Sequence, residues 1–321
     1  LQPSQLRREA AANNAGSNAA SIQVRLGYRP PYDVDAMLQF LAQRQIDGVE
    51  QVTHNGLVRR IARTLRLRIA QQDLRGWLLS DFDPNHCQLT LRVSDTLAGA
   101  LPQVMTLVRS WLDLDADPAA INPLLHADFP DGDGLRLPGS LDGFELAVRA
   151  VLGQQITVAA ARTLCRRLAE RFGEPLATPH AGLSRLFPSA QTLAAAPGDA
   201  LGALGIVKQR QVAIQALAQA VDSQGLRLDA SAELGPTLAA LQALPGIGDW
   251  TAQYIAMRAL AWPDAFPAGD IALQKALGVR RALQPAKAAL AVARAWQPWR
   301  SYAVIRAWAK PSTEPAKGLT P

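Results

Sequence analysis

Two patterns of apolar and polar residues divide this chain. From Ile22 to about Asp95 the apolar residues come in short alternating runs, Ile22–Leu26, Leu65–Ala70, Trp77–Phe82 and Gln88–Val93. Turn residues such as Asn55-Gly56 and Asp83-Pro84-Asn85 separate them. A period of two with Gly, Asn and Pro at the breaks predicts strands joined by tight turns. One helix is predicted over Val34–Gln43, where Met37, Leu38 and Leu41 form an apolar stripe. Beyond Leu97 the spacing becomes helical and stays so to Ala309, each segment ending at Gly, Pro or Asp. The expected fold is therefore α+β, with a small antiparallel α/β domain over 22–96 and an all-α region over 97–310. Residues 1–21, rich in Ala, Asn, Gly and Ser, read as a linker or the remnant of an upstream domain, and 311–321 as a disordered tail.

The helical region is organised around Leu244-Pro245-Gly246-Ile247-Gly248-Asp249-Trp250-Thr251-Ala252, with predicted helices running into it (236–243) and out of it (251–261). Two glycines two residues apart permit a sharp turn and bare the amides that open the second helix, where orphan donors and the helix dipole favour an anion. Asp249 is expected to cap that helix. An ordinary glycine turn between two helices is the other reading of Gly-x-Gly alone. Twenty residues past Trp250 lies Asp270, in Phe266-Pro267-Ala268-Gly269-Asp270-Ile271-Ala272-Leu273-Gln274-Lys275, where it reads as the N-cap of a further helix. Upstream, Asp142-Gly143-Phe144-Glu145 reads as a capping box that launches a helix ending at Gly153-Gln154-Gln155. Gly202-Ala203-Leu204-Gly205-Ile206-Val207-Lys208-Gln209-Arg210 sets basic residues at a helix start, for phosphate contact or for packing.

Composition narrows the partners. With 33 basic against 27 acidic residues the 321-residue chain carries +6, a balance that suits nucleic acid. Two cysteines, Cys87 and Cys165, are too few for a disulfide framework or a four-cysteine cluster and are expected as small buried hydrophobes. His54, His86, His126 and His180 lack metal-ligand spacing and are expected at the surface. Arg59, Arg60, Arg63, Arg66 and Arg68 read as a solvated face, with a DNA-facing flank as the second reading. No apolar run reaches membrane-spanning length and no signal peptide is visible, which reads as a reducing cytoplasm.

Hairpin and Asp at this separation resemble the helix-hairpin-helix base-excision glycosylases, and among them the branch that repairs alkylated bases such as 3-methyladenine. The resemblance runs from about Tyr28 to Trp308 and includes Trp296-Gln297-Pro298-Trp299-Arg300-Ser301-Tyr302-Ala303. It implies a pair of helical glycosylase domains and a monomer that binds duplex DNA. The implied reaction hydrolyses the N-glycosidic bond of an alkylated base, the first step of base excision repair. By the same resemblance Asp270 is the catalytic carboxylate, and Trp250, Tyr254 and Trp308 form the base pocket. Gly246, Gly248 and Thr251 would grip DNA, and Gln155 stands where a well-known member carries an apolar leucine wedge. A monovalent cation on the main-chain carbonyls of Gln242, Leu244 and Ile247 is implied, with no other cofactor. The iron–sulfur cluster of some relatives has no ligands here.

Chemistry agrees with these roles. A carboxylate can stabilise the cationic sugar that develops and orient water. Trp250 and Tyr254, four apart on one helix, share a face and offer cation–π attraction to a methylated purine. Alkylation makes the base a good leaving group, so no strong general acid is expected. Trp250 stands where strand-cleaving relatives keep a Schiff-base lysine, which implies hydrolysis alone and disfavours a bifunctional oxidised-base glycosylase. A non-catalytic helix-hairpin-helix DNA-binding module and a regulator of the alkylation response are the two remaining readings. The segment Leu1–Arg8 is similar to the last turns of an AraC-type helix-turn-helix domain, which would make the chain the C-terminal part of a fusion.

Overall fold

The computed structural model describes residues 21–69 and 72–310. The expected linker, the AraC-like octapeptide and the expected tail fall almost wholly outside those residues. Five antiparallel strands, β1 (Ser21–Gly27), β2 (Glu50–His54), β3 (Arg59–Ile69), β4 (Gln72–Asp83) and β5 (Gln88–Ser94), pair in the order β1-β5-β4-β3-β2. Helix α1 (Val34–Ala42) lies between β1 and β2 in the chain. Its Met37, Leu38 and Leu41 enter the sheet core with Ile61, Leu65, Leu78 and Leu91. Strand β2 carries no clear alternation and goes unpredicted, yet Asn55-Gly56 is the turn joining it to β3. Gly56 holds φ +79, and the Asn55 side chain accepts from the Val58 amide at 3.0 Å.

Four of the five β3 arginines are drawn into ion pairs rather than a solvated face, and Arg68 is exposed. Arg59 pairs with Asp35, Arg60 with Asp81 and Arg66 with Glu174. Arg63 is buried between Glu50 and Glu145. Two other expectations change. Cys87 is only half-buried at a left-handed turn, whereas Cys165 is buried and its thiol is pushed up to about 12 by that burial. His180 is half-buried, edge-on to Trp77 with ring centroids 4.4 Å apart.

The helices are α2 (Leu101–Trp111), α3 (Pro118–Leu125), α4 (Gly143–Leu152), α5 (Val158–Phe172), α6 (Ala190–Ala194), α7 (Gly198–Gly202), α8 (Lys208–Asp222), α9 (Leu234–Ala243), α10 (Asp249–Arg258), α11 (Ile271–Ala276), α12 (Pro285–Ala293) and α13 (Arg300–Ala309). Helix α2 completes the sheet core through Val104, Val108 and Trp111. A second core gathers α4, α5 and α8 around Val148, Leu168, Ile214 and Leu217. The third joins two distant stretches, Ala116 to Leu137 and Ala256 to Ala307. Helix α10 serves both helical cores, giving Ile255 to one and Met257 to the other. The Trp296–Ala303 motif ties the third core. Trp296 donates to Asp128 at 2.7 Å, Arg300 holds Asp264 with two 2.7 Å contacts, and the Tyr302 hydroxyl donates to Asp113 at 3.1 Å.

Asp113 makes that last junction sensitive to pH. Burial raises its carboxyl to about 7, against the opposing pull of the Leu137 amide and of Arg136. The folded chain therefore keeps this proton up to about pH 7, while the unfolded chain releases it near 4. Stability from this group should fall as pH rises from about 4 to 7, because the folded state binds the extra proton in that window. An amide would keep an acceptor for Leu137 and a donor for the Tyr302 oxygen. Asp113→Asn should thus have a urea midpoint above the parent at pH 8, the gap closing toward pH 4. An unchanging difference across the range would mean that water reaches the carboxyl.

Candidate functional site

The hairpin joins α9 to α10 as expected, but its two glycines act differently. Gly246 sits at φ +77, and a Cβ there would stand 3.0 Å from that of Ala213. Both backbone and packing therefore call for glycine. Gly248 has φ −89 and ψ 179, open to any residue, and a Cβ would meet nothing within 4 Å. Its bare surface keeps the start of α10 accessible. Gly248, in an extended conformation, is the N-cap. Asp249 lies one residue inside the helix and accepts from Gln242 at 3.3 Å, so the expected Asp249 cap is replaced. The first intrahelical bond runs from the Ala252 amide to the Gly248 carbonyl, which leaves the preceding amides without a helical acceptor.

Thr251 is buried, and its hydroxyl accepts from the Gln154 side chain at 2.9 Å. Its side chain braces the hairpin. Gln154 also donates to the Gly246 carbonyl at 2.9 Å and so clamps the hairpin to the end of α4. In the sequence Gln154 reads only as a junction residue, because its partners lie more than ninety positions away. Arg210 donates to the Gln154 carbonyl, a contact that supports the packing reading of that stretch. Gln155 is exposed at the rim with φ +56, a left-handed conformation that L residues rarely adopt.

Asp270 caps α11 as predicted, its Oδ1 accepting from the Leu273 amide at 2.7 Å. The same carboxylate gathers the pocket. The Trp250 indole donates to Oδ2 at 3.0 Å and the Trp308 indole to Oδ1 at 3.1 Å. Trp250 stacks on Tyr254 with centroids 5.4 Å apart and planes 16° from parallel, and Trp308 is tilted against Tyr254 at 6.2 Å. These four residues line a cleft of about 1110 Å³ together with Gln155, Gly246, Gly248 and Thr251. The structure thus brings the pocket, the carboxylate, the hairpin and the wedge position to one opening. Gln242, Leu244 and Ile247 are not among the residues lining it. Arg44, Arg149 and Arg258 also line the cleft, and no motif in the sequence points to them.

Two family models match the chain. The AlkA N-terminal domain covers residues 23–142, and the HhH-GPD superfamily base excision DNA repair protein covers residues 148–301. The chain is 38% identical over 320 residues to a Mycobacterium tuberculosis protein named probable bifunctional transcriptional activator/DNA repair enzyme AlkA. That match takes in 95% of this chain and 61% of the relative, so the chain spans under two thirds of that relative's length. It is 34% identical over 283 residues to Escherichia coli DNA-3-methyladenine glycosylase 2, covering 88% of this chain and 95% of the relative. Among solved structures the fold matches a 3-methyladenine DNA-glycosylase from Archaeoglobus fulgidus with a TM-score of 0.72 at 16% identity, over 89% of this chain and 97% of the other. With an AlkA-type sheet domain ahead of the hairpin-bearing helices, the chain belongs to the HhH-GPD superfamily of base excision DNA repair proteins.

Proposed function

We propose that the chain is a monofunctional DNA glycosylase that hydrolyses the N-glycosidic bond of alkylated bases, 3-methyladenine among them, in duplex DNA. The observation that carries this reading is the Asp270 carboxylate held at the cleft by both pocket indoles. The nucleotide must leave the stack to reach it, at a cost of a few kcal/mol that damage lowers. The hairpin amides grip a phosphate without reading sequence, and Gln155 fills the space left in the duplex. Trp250, Tyr254 and Trp308 receive the base, and Asp270 faces the positive charge that develops on the sugar while water attacks C1′.

The protein acts as a monomer on nucleoid DNA, with no iron–sulfur cluster. A monovalent cation on the Gln242, Leu244 and Ile247 carbonyls belongs to this proposal. The donors are neutral oxygens, which suit a singly charged ion, although the Leu244 carbonyl also accepts from the Ile247 amide at 3.2 Å.

Product analysis tests the reading. Incubation with alkylated duplex should release free base and leave an intact abasic strand. Borohydride should trap no covalent adduct, since Trp250 stands where a lyase keeps its lysine. An adduct that disappears when a lysine is mutated would mean a lyase. Duplex binding without base release would mean a non-catalytic module.

A further inference from the structure

The inner end of the cleft is built from hydrogen-bond donors. Arg149, Arg258 and Arg44 line it beside Tyr254. Arg149 is neutralised locally, because Glu50 and Glu145 accept from it at 2.9 and 2.8 Å. Together with Arg63 these four groups carry no net charge. Neither Arg258 nor Arg44 forms an ion pair with an acid among the described residues. Arg258 is buried and donates to the Pro138 and Gly139 carbonyls, at 2.7 and 3.2 Å, and to the Tyr254 hydroxyl at 2.5 Å. Arg44 donates to the Phe40 carbonyl at 3.1 Å, and its charge acts on the same hydroxyl. Both guanidiniums lie against the Phe40 ring, at 3.7 and 4.9 Å.

Two consequences follow from chemistry alone. A guanidinium only donates, so the Tyr254 oxygen is used as an acceptor and its own proton is left for an occupant of the cleft. Two uncompensated cations side by side also favour negative charge in front of them. The titration behaviour agrees. Burial would raise the Tyr254 phenol, but Arg258, Arg44 and Arg149 outweigh it and hold the group below the ordinary tyrosine range. Burial, with Arg258 and Arg149 nearby, brings the Arg44 guanidinium down to about 10.

We propose that this floor stabilises the departing base as an anion, with Tyr254 and Arg44 as catalytic residues for neutral lesions that present an exocyclic oxygen, such as the deaminated adenine hypoxanthine. The inference rests on the glycosylase reading above. In the step concerned, the bond between the purine N9 and C1′ breaks heterolytically and its electron pair goes to the base. The negative charge spreads over the ring nitrogens and the exocyclic oxygen, which the Tyr254 O–H and the Arg44 charge meet. Water adds to C1′ and gives its proton to Asp270, and the base takes a proton from solvent once released. A base already cationic through alkylation departs neutral and gains little from the floor. The cleft is thus polarised along its length, negative at Asp270 where the sugar becomes cationic and positive where the base collects electrons.

Single-turnover release from duplexes carrying hypoxanthine or 7-methylguanine tests this. Both bases have an exocyclic oxygen, and only the second is cationic. Arg44→Met and Tyr254→Phe should each slow hypoxanthine release on the order of 10²-fold while 7-methylguanine release falls by less than about tenfold. Arg44→Lys should recover part of the hypoxanthine loss, because it restores charge. Equal losses on the two bases would reduce the floor to a packing role and overturn the proposal. So would a parent protein that releases 7-methylguanine but no hypoxanthine. A parent that releases neither base sinks the glycosylase reading itself, a separate outcome.

Discussion

Asp270→Asn is expected to lower base release by about 10³-fold or more while binding damaged duplex nearly as well as the parent. Three N–H groups converge on its two oxygens, those of Leu273 and Trp308 on Oδ1 and that of Trp250 on Oδ2. An amide keeps one oxygen. If that oxygen stays on the capping side, the new NH2 group meets the Trp250 indole N–H, donor against donor. The variant therefore loses both the charge that faces the developing sugar cation and one of the bonds that position the pocket wall. Single-turnover excision reads the first loss, and the environment of the Trp250 fluorescence reads the second. Near-parental excision would remove Asp270 from the chemistry.

The largest effect on stability is expected at Glu145. This buried carboxylate accepts from Arg63 at 2.5 Å and from Arg149 at 2.8 Å, and Glu50 completes the set by accepting from the same two arginines. Removal of one acid leaves two buried guanidiniums to share the other, and a buried charge without its partner costs about 3–5 kcal/mol. Glu145→Ala should therefore lower the urea midpoint sharply. The loss should appear in the sheet and the helices together, since Arg63 is on β3 and Glu145 and Arg149 are on α4. A loss under about 1 kcal/mol would place the quartet among solvated ion pairs.

Glu145 also marks where the sequence stops being legible. Within Asp142-Gly143-Phe144-Glu145 it has the place of the returning half of a capping box. Asp142 does accept from the Glu145 amide at 3.1 Å, but the Glu145 side chain is drawn away to Arg63, eighty-two positions earlier. Local signals hold where their cause is local, as in the Asn55-Gly56 turn, the Asp270 cap and the hairpin at Gly246. They fail where a distant partner decides. Strand β2 shows no alternation because Glu50 is buried for the sake of two arginines. Four of the five arginines that obscure the full length of β3, namely Arg59, Arg60, Arg63 and Arg66, are neutralised by Asp35, Asp81, Glu145 and Glu174. The carboxylate and aromatics of the cleft are legible through the family resemblance. The floor formed by Arg44 and Arg258 is not, because Arg44 comes from the loop after α1 and meets Tyr254 only in three dimensions.

The third helical core, made from Ala116–Leu137 and Ala256–Ala307, carries a consequence for how the protein is born. On the ribosome its first half emerges long before its second. At about 5–20 residues per second, roughly 120 residues of intervening chain mean a delay on the order of ten seconds. The sheet and the bundle around Val148 and Ile214 can close during that interval. Apolar residues such as Ile121, Leu125 and Phe129 must wait uncovered for their partners. The cleft is finished last of all, since Trp308 sits near the end of α13. A nascent chain thus reaches a folded sheet well before it can hold a base, and slow translation of the last helices would prolong the period in which it is open to chaperones and proteases.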